Sequence, residues 1–208
     1  MVANPWWAPW ALNRVIEPLM KELRLQAPGL AGMQAGDSAL DICCGTGALA
    51  LHYAGLGVTA AGIDMDPRVI QIADRKGQRL GLTNASFRVG DALNLPFEDG
   101  FFDFASISMS LHETESAERD IIVSEMKRVV KANGALILID YKVPLPFIPS
   151  SYTSRVVELV AGREHNRYFR EYVRQGGLDG LMDRHGLRAE RRAELGPMWM
   201  IKASRIVT

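Results

Sequence analysis

From Ser38 onward, short apolar runs alternate with stretches whose apolar residues recur at helical spacing. Ser38–Ile42, Val58–Ile63, Ser86–Val89, Phe101–Met109 and Ala135–Tyr141 read as strands, and the last, ALILIDY, is apolar on both faces, as a central strand covered on either side requires. Between them, a helix follows the glycine turn through about Ala54. A second starts at Asp66-Pro67, an N-cap side chain followed by a residue suited to the first helical position, with Val69, Ile72, Ala73, Lys76 and Leu80 along its sheet-facing side. A third spans Ala117–Val130 with Ile122, Met126 and Val130 on one stripe, and Asn133-Gly134 reads as the turn into the fifth strand.

Beyond Tyr141 the texture changes. Three prolines fall in Lys142–Pro149, helices are expected at Tyr152–Val160 and Phe169–His185, the second interrupted by Gly176-Gly177, and Leu187–Leu195 with Met198–Ile206 predict a hairpin around Gly196-Pro197. Strands alternating with helices imply right-handed crossovers, so the expected fold is α/β: a doubly wound, mostly parallel, seven-stranded sheet with a C-terminal antiparallel hairpin. One domain is expected over residues 1–208. It divides into a helical leader or lid (1–37, helix near Asn13–Leu25), a ligand-binding core (38–141), a substrate-side insertion (142–168), and a helix plus edge hairpin (169–208).

Composition narrows the partners. With 48% hydrophobic residues the chain supports a sizeable core, and 24 basic against 24 acidic residues leave no whole-chain field for nucleic acid. From Arg163 onward ten basic and six acidic residues give +4, read as a solvated surface. Cys43 and Cys44 are adjacent, point to opposite faces of a strand, and fit neither a disulfide nor a zinc spacing, so no metal is expected. No apolar run of membrane-spanning length and no cleavable leader is legible, which predicts a cytoplasmic protein.

The chemistry concentrates at the strand tips, where open α/β sheets bind ligands. Asp41, Asp64 and Asp91 close the first three strands, and Gly45-x-Gly47-x-x-Ala50 follows the first. Glycines admit a ligand to the backbone, Asp64 suits a ribose diol, and Asp91 suits an exocyclic amine. Both a nicotinamide dinucleotide and an adenosyl ligand satisfy these terms. Asp41 separates them: a carboxylate ahead of the loop repels a diphosphate and attracts an ammonium and a sulfonium. S-adenosylmethionine is therefore favoured over NAD.

These stretches, LDICCGTGALA, GIDMDP and VGDALNLPFEDGFFDF in that order, resemble the class I S-adenosylmethionine-dependent methyltransferases over about Ser38–Tyr141. DALNLPFEDGFFDFASISMSLHE followed by KANGALILIDYKVP is similar to the ubiquinone/menaquinone-biosynthesis branch and its small-molecule relatives. The resemblance implies that Asp41, Gly45 and Gly47 border the methionine part and Asp64 the ribose, with Cys43 also among the cofactor-binding residues. It also implies Met65 against the adenine face, Asp91 and Ala92 at its edge, and Ser108 beside the methionine end. In the quinone branch an arginine and an asparagine often stand where this chain has His112 and Glu113, which points away from a quinone.

The sulfonium is already an activated methyl donor, so catalysis reduces to positioning an acceptor and, for an oxygen or acidic carbon, removing its proton. His112, just beyond the fourth strand, is the expected base; a helix cap or a bond to a backbone carbonyl is its alternative role. Trp10, Met109, Tyr141, His165 and Tyr168 are the expected pocket for a small-molecule or lipid-like acceptor, with Trp6 and Trp7 nearby in the leader. Those tryptophans could instead pack on the sheet edge or, less favoured, touch a membrane. Two other functions stay open: a module that binds S-adenosylmethionine without transferring methyl, and an NAD(P)-dependent reductase, which lacks an evident Tyr-x-x-x-Lys pair.

Overall fold

A computed structural model describes residues 8–144 and 163–206, with backbone alone at 8–19, 163 and 165. A leading helix, α1 (Ala8–Ala31), precedes the sheet. The chain then runs β1 (Ser38–Ile42), α2 (Ala48–Gly55), β2 (Thr59–Asp64), α3 (Pro67–Arg79), β3 (Ala85–Val89) and β4 (Phe102–Ser108). A 3₁₀ turn (Leu111–Glu113) leads into α4 (Ser116–Val129), β5 (Val130–Tyr141), α5 (Arg163–Arg174), α6 (Gly177–Arg184), β6 (Leu187–Leu195) and β7 (Met198–Arg205). The expected helix at Tyr152–Val160, together with Trp6 and Trp7, lies outside the described residues.

One seven-stranded sheet has the order β3-β2-β1-β4-β5-β7-β6. The first five strands pair in parallel, and β7 runs antiparallel to both neighbours, so the sheet is the mostly parallel, doubly wound one with an antiparallel hairpin that the pattern predicts. Helices α1, α2 and α3 pack together as one layer, α4, α5 and α6 as the other. Strand order reverses between β1 and β4, and this switch point opens the crevice beyond their carboxyl ends.

Three local expectations need correction. On α3 the buried positions are Ile70, Ala73 and Gly77, while Ile72 and Leu80 face solvent. Small residues set that face: a Cβ on Gly77 would stand 3.4 Å from Leu51 Cδ2, so the helix sits close over α2. Asn133-Gly134 is no turn, because β5 begins at Val130 and runs through it. Gly134 serves a register shift against β4, where a Cβ would lie 2.4 Å from the Asp103 carbonyl oxygen. Finally, the helix expected from Phe169 starts earlier, at Arg163, while its expected interruption falls at Gly176 (φ +84°), giving α5 and α6.

Candidate functional site

The residues expected to meet the donor gather around the loop between β1 and α2. Register places Asp41 of β1 opposite Ser106 of β4, and Ser106 Oγ donates to Asp41 Oδ1 at 2.9 Å. Asp41 is only 3% exposed, beneath the loop rather than on it. Burial pushes its carboxyl up to about 7; bonds from Ser106 and the Ala50 N–H oppose the rise, and the nearby Asp64 charge adds to it. The acid expected to discriminate ligands is thus poised between neutral and charged near neutral pH.

Asp64 ends β2 and ties the loop down: Oδ2 accepts from the Gly45 N–H at 2.8 Å and Oδ1 from the Asp66 N–H at 3.0 Å. A carboxylate has about four lone-pair sites, so capacity for a diol remains. Gly45 (φ +52°) has no atom within 4 Å of a notional Cβ, and this open backbone is the approach a ligand needs. Gly47 (φ +74°) has the opposite reason: a Cβ there would meet Phe87 Cε1 at 2.6 Å and Ala73 Cβ at 2.7 Å. Met65 projects past the tip at 56% exposure. Asp91 is exposed after β3 with Oδ1 accepting from the Leu93 N–H, and Ala92 beside it is buried. Asp66 is a helix cap and bonds the Arg68 N–H.

Two non-glycine residues among those described adopt positive φ, Cys43 (+55°) and Met109 (+56°). They flank the switch point, one past β1 and one past β4, where stored backbone strain tends to mark function. Ser108, at the tip of β4, has a buried hydroxyl with no hydrogen-bond partner. A buried orphan hydroxyl costs stability unless a ligand completes it. Together with the open Gly45 backbone, it makes the residues present fit a polar, partly cationic nucleoside ligand. Cys43 is pushed up to about 12, mainly by burial and then by the Asp64 charge, and Cys44 is raised further, so neither thiol is a nucleophile at neutral pH.

The residues expected on the acceptor side gather at the ends of β4 and β5. His112, on the 3₁₀ turn, is 4% exposed; its Nδ1 is 2.7 Å from Asp140 Oδ1 and its backbone N–H donates to Asp140 Oδ2 at 3.1 Å. Asp140 also accepts from the Tyr141 N–H at 2.7 Å. A carboxylate oxygen accepts, so Nδ1 is the ring nitrogen that donates to Asp140. Tyr141 meets the imidazole edge-on at 4.8 Å between centroids, Phe169 at 6.1 Å and Tyr172 at 6.5 Å.

Tyr168 does not join this group; it stacks under the Arg167 guanidinium, and its neighbours Phe169 and Tyr172 reach His112 instead. The side chains of Trp10 and His165 lie outside the described residues. Sequence reasoning missed Asp140, Phe169, Tyr172 and the buried Arg119. Only Asp140 left a signal, as the one acid inside an otherwise apolar run. A groove of about 360 Å³ at the amino end of the sheet, lined by Thr59, Ser86, Arg88 and Phe97 among others, contains none of these residues. Among the described residues no cluster could hold a metal ion, and no helix is long and apolar enough to cross a membrane.

Comparison with known proteins agrees with this geometry. The methyltransferase-domain family matches residues 39–134. A demethylmenaquinone methyltransferase of Oceanobacillus iheyensis is 34% identical over 54% of this chain and 48% of its own. One from Shouchella clausii is 32% identical over 67% and 61%. The chain spans about half the length of the curated relatives it matches. A crystal structure of a SAM-dependent methyltransferase from Aquifex aeolicus, 22% identical, superposes with TM-score 0.59 over 94% of this chain and 92% of its own, which establishes the shared fold. With the fold, the strand-tip acids and the glycine loop in place, residues 39–134 match the methyltransferase domain, and the chain is similar to the class I S-adenosylmethionine-dependent methyltransferases.

Proposed function

We propose that the chain transfers a methyl group from S-adenosylmethionine to an acidic hydroxyl or activated ring carbon of a small, lipid-like acceptor. The observation that carries this reading is the loop itself: open backbone at Gly45, pinned by Asp64 and underlain by Asp41. Asp64 would take the ribose hydroxyls, Met65 one adenine face, and Asp91 with Ala92 the adenine edge. Ser108 and Asp41 would face the methionine end.

S-adenosylmethionine supplies an activated methyl on a positively charged sulfur. The protein's own work is to orient the acceptor, exclude water and take one proton. His112 Nε2 would receive that proton from the acceptor oxygen or carbon as the new bond to methyl forms, and Asp140 would hold the resulting imidazolium. The relatives named for demethylmenaquinone bring a quinol-like ring back among the candidates, although His112 and Glu113 depart from that branch.

Calorimetric titration with S-adenosylhomocysteine tests the donor half: binding that Asp64→Ala weakens by roughly 10–100-fold is expected from lost charge-assisted hydrogen bonds. No binding at millimolar ligand, or NADH binding in its place, would remove the reading.

A further inference from the structure

Arg119 is the largest fully buried side chain among the described residues, 1% exposed in the interior of the acceptor half. A buried guanidinium without a close carboxylate is expensive and persists where its hydrogen bonds are satisfied. Here Nε donates to the Leu111 carbonyl at 2.8 Å, Nη2 to the Thr114 carbonyl at 2.7 Å, and Nη1 to Gln175 Oε1 at 3.1 Å. The two carbonyls bracket His112 and Glu113, so one rigid fork clamps both ends of the turn that carries the imidazole. The same guanidinium lies 5.3 Å from the Tyr172 ring centroid, and Gln175 in turn donates to Ser116 Oγ at 2.7 Å. The fork therefore joins three elements: α4, which carries Arg119; the 3₁₀ turn, which carries His112; and the residue just past α5, the helix that carries Phe169 and Tyr172.

We propose that Arg119 is the positioning residue of the acceptor half: its buried fork sets the Leu111–Thr114 turn, and thereby the direction of His112 against Asp140 and the α5 aromatics. This rests on the reading of His112 as the acceptor-side base. The charge has a purpose beyond geometry, since it lies in the same interior as the buried Asp140 carboxylate and offsets it. Lysine keeps the charge but cannot span two carbonyls; methionine keeps neither.

The experiment uses the full chain labelled with ¹⁵N-histidine, as wild type, Arg119→Lys, Arg119→Met, His112→Gln and the double variant His112→Gln/Arg119→Met. The imidazole N–H resonance of His112, identified by its loss in His112→Gln, reports the bond to Asp140. It is expected to shift or exchange away in Arg119→Met and to move partly in Arg119→Lys, with S-adenosylhomocysteine affinity unchanged within about twofold. Turnover of 1,4-dihydroxynaphthalene with methyl-labelled donor should fall about 100-fold in Arg119→Met, the scale of a base displaced by an ångström, and should not fall further when Arg119→Met is added to His112→Gln.

A folded Arg119→Met with the His112 resonance unmoved overturns the proposal. If that variant fails to fold, an unmoved resonance in Arg119→Lys does the same. Wild-type turnover by His112→Gln would instead remove the base reading while leaving the clamp in place, so the two failures are distinguishable.

Discussion

The two halves proposed for the crevice, one for the donor and one for the acceptor, are built differently. On the donor side the elements that matter are close in sequence: Asp41, Gly45, Gly47, Asp64 and Asp91 sit at three successive strand tips, and the bond that ties them, Gly45 to Asp64, spans 19 residues. The acceptor side is stitched from distant segments, His112 to Asp140 across 28 residues and Arg119 to Gln175 across 56. Apart from the Ser106–Asp41 bond, which spans 65 residues, the donor half is held by backbone amides; the acceptor half depends on side chains that only the folded sheet brings together. A ligand common to a whole family can be read by a local motif, whereas an acceptor particular to one protein is read by whatever the surrounding chain supplies.

The largest expected effect separates the halves by what each measurement reports. Asp140→Asn should leave Nδ1 without its carboxylate acceptor and reduce kcat by on the order of 10²–10⁴, as loss of a general base does, with S-adenosylhomocysteine affinity intact. Asp64→Ala should do the reverse, weakening that ligand. If Asp140→Asn changed ligand affinity and turnover together, the division into two halves would fail.

Next in size is the buried acid. Asp41 has its folded value raised from 3.8 to about 7, so its contribution to stability is fully present below 3.8 and is lost as pH rises through about 7. Above that pH the cost is roughly 4 kcal/mol at the scale of 1.36 kcal/mol per unit. Asp41→Asn should therefore raise Tm, more at pH 8 than at pH 5. Ligand affinity should run the other way: a cationic donor prefers the carboxylate, so wild-type affinity for S-adenosylmethionine should climb from pH 6 to 8 while Asp41→Asn stays weak and flat. A wild-type affinity independent of pH would show that Asp41 does not feel the ligand's charge.

Gly47→Ala comes third. Overpacking against Phe87 and Ala73 adds to a left-handed backbone that alanine adopts poorly, for about 3 kcal/mol in all. Denaturant unfolding measures it. A loss below about 1 kcal/mol would mean that the Phe87 ring swings aside, and that the α2–α3 contact is softer than its spacing indicates.

These contrasts also explain what was legible beforehand. The strands, the Asp66-Pro67 helix start and the donor acids each announce themselves within a dozen residues, through periodicity, capping chemistry and glycine spacing. The face of α3 is ambiguous in the sequence because Ile70 and Ile72 carry the same hydrophobic signal on different sides and Gly77 carries none, while Ala73 falls on the buried side under either choice. Gly134 looked like a turn for the complementary reason, since its missing Cβ serves a neighbouring strand and not its own segment. His112 was visible by position alone. Its partner Asp140 and the Arg119 clamp were not, because nothing local distinguishes a buried arginine on α4 from the exposed arginines elsewhere on the chain.

The smallest expected effect lies where the halves meet. Cys43 holds φ at +55° with its side chain mostly enclosed, a conformation that costs an L-residue about 1 kcal/mol and a glycine nothing. Glycine loses that strain but gives up a buried thiol and gains unfolded-state entropy, each worth roughly 0.5–1 kcal/mol, so Cys43→Gly should change stability by less than about 1 kcal/mol. Valine, β-branched and barred from this region, should cost about 2 kcal/mol more than glycine at the same site. Paired Tm measurements on the two variants isolate the backbone from the side chain. If valine and glycine proved equal, the turn would have relaxed out of its left-handed state, and the Gly45 backbone that opens to the donor would not depend on the strain at its entrance.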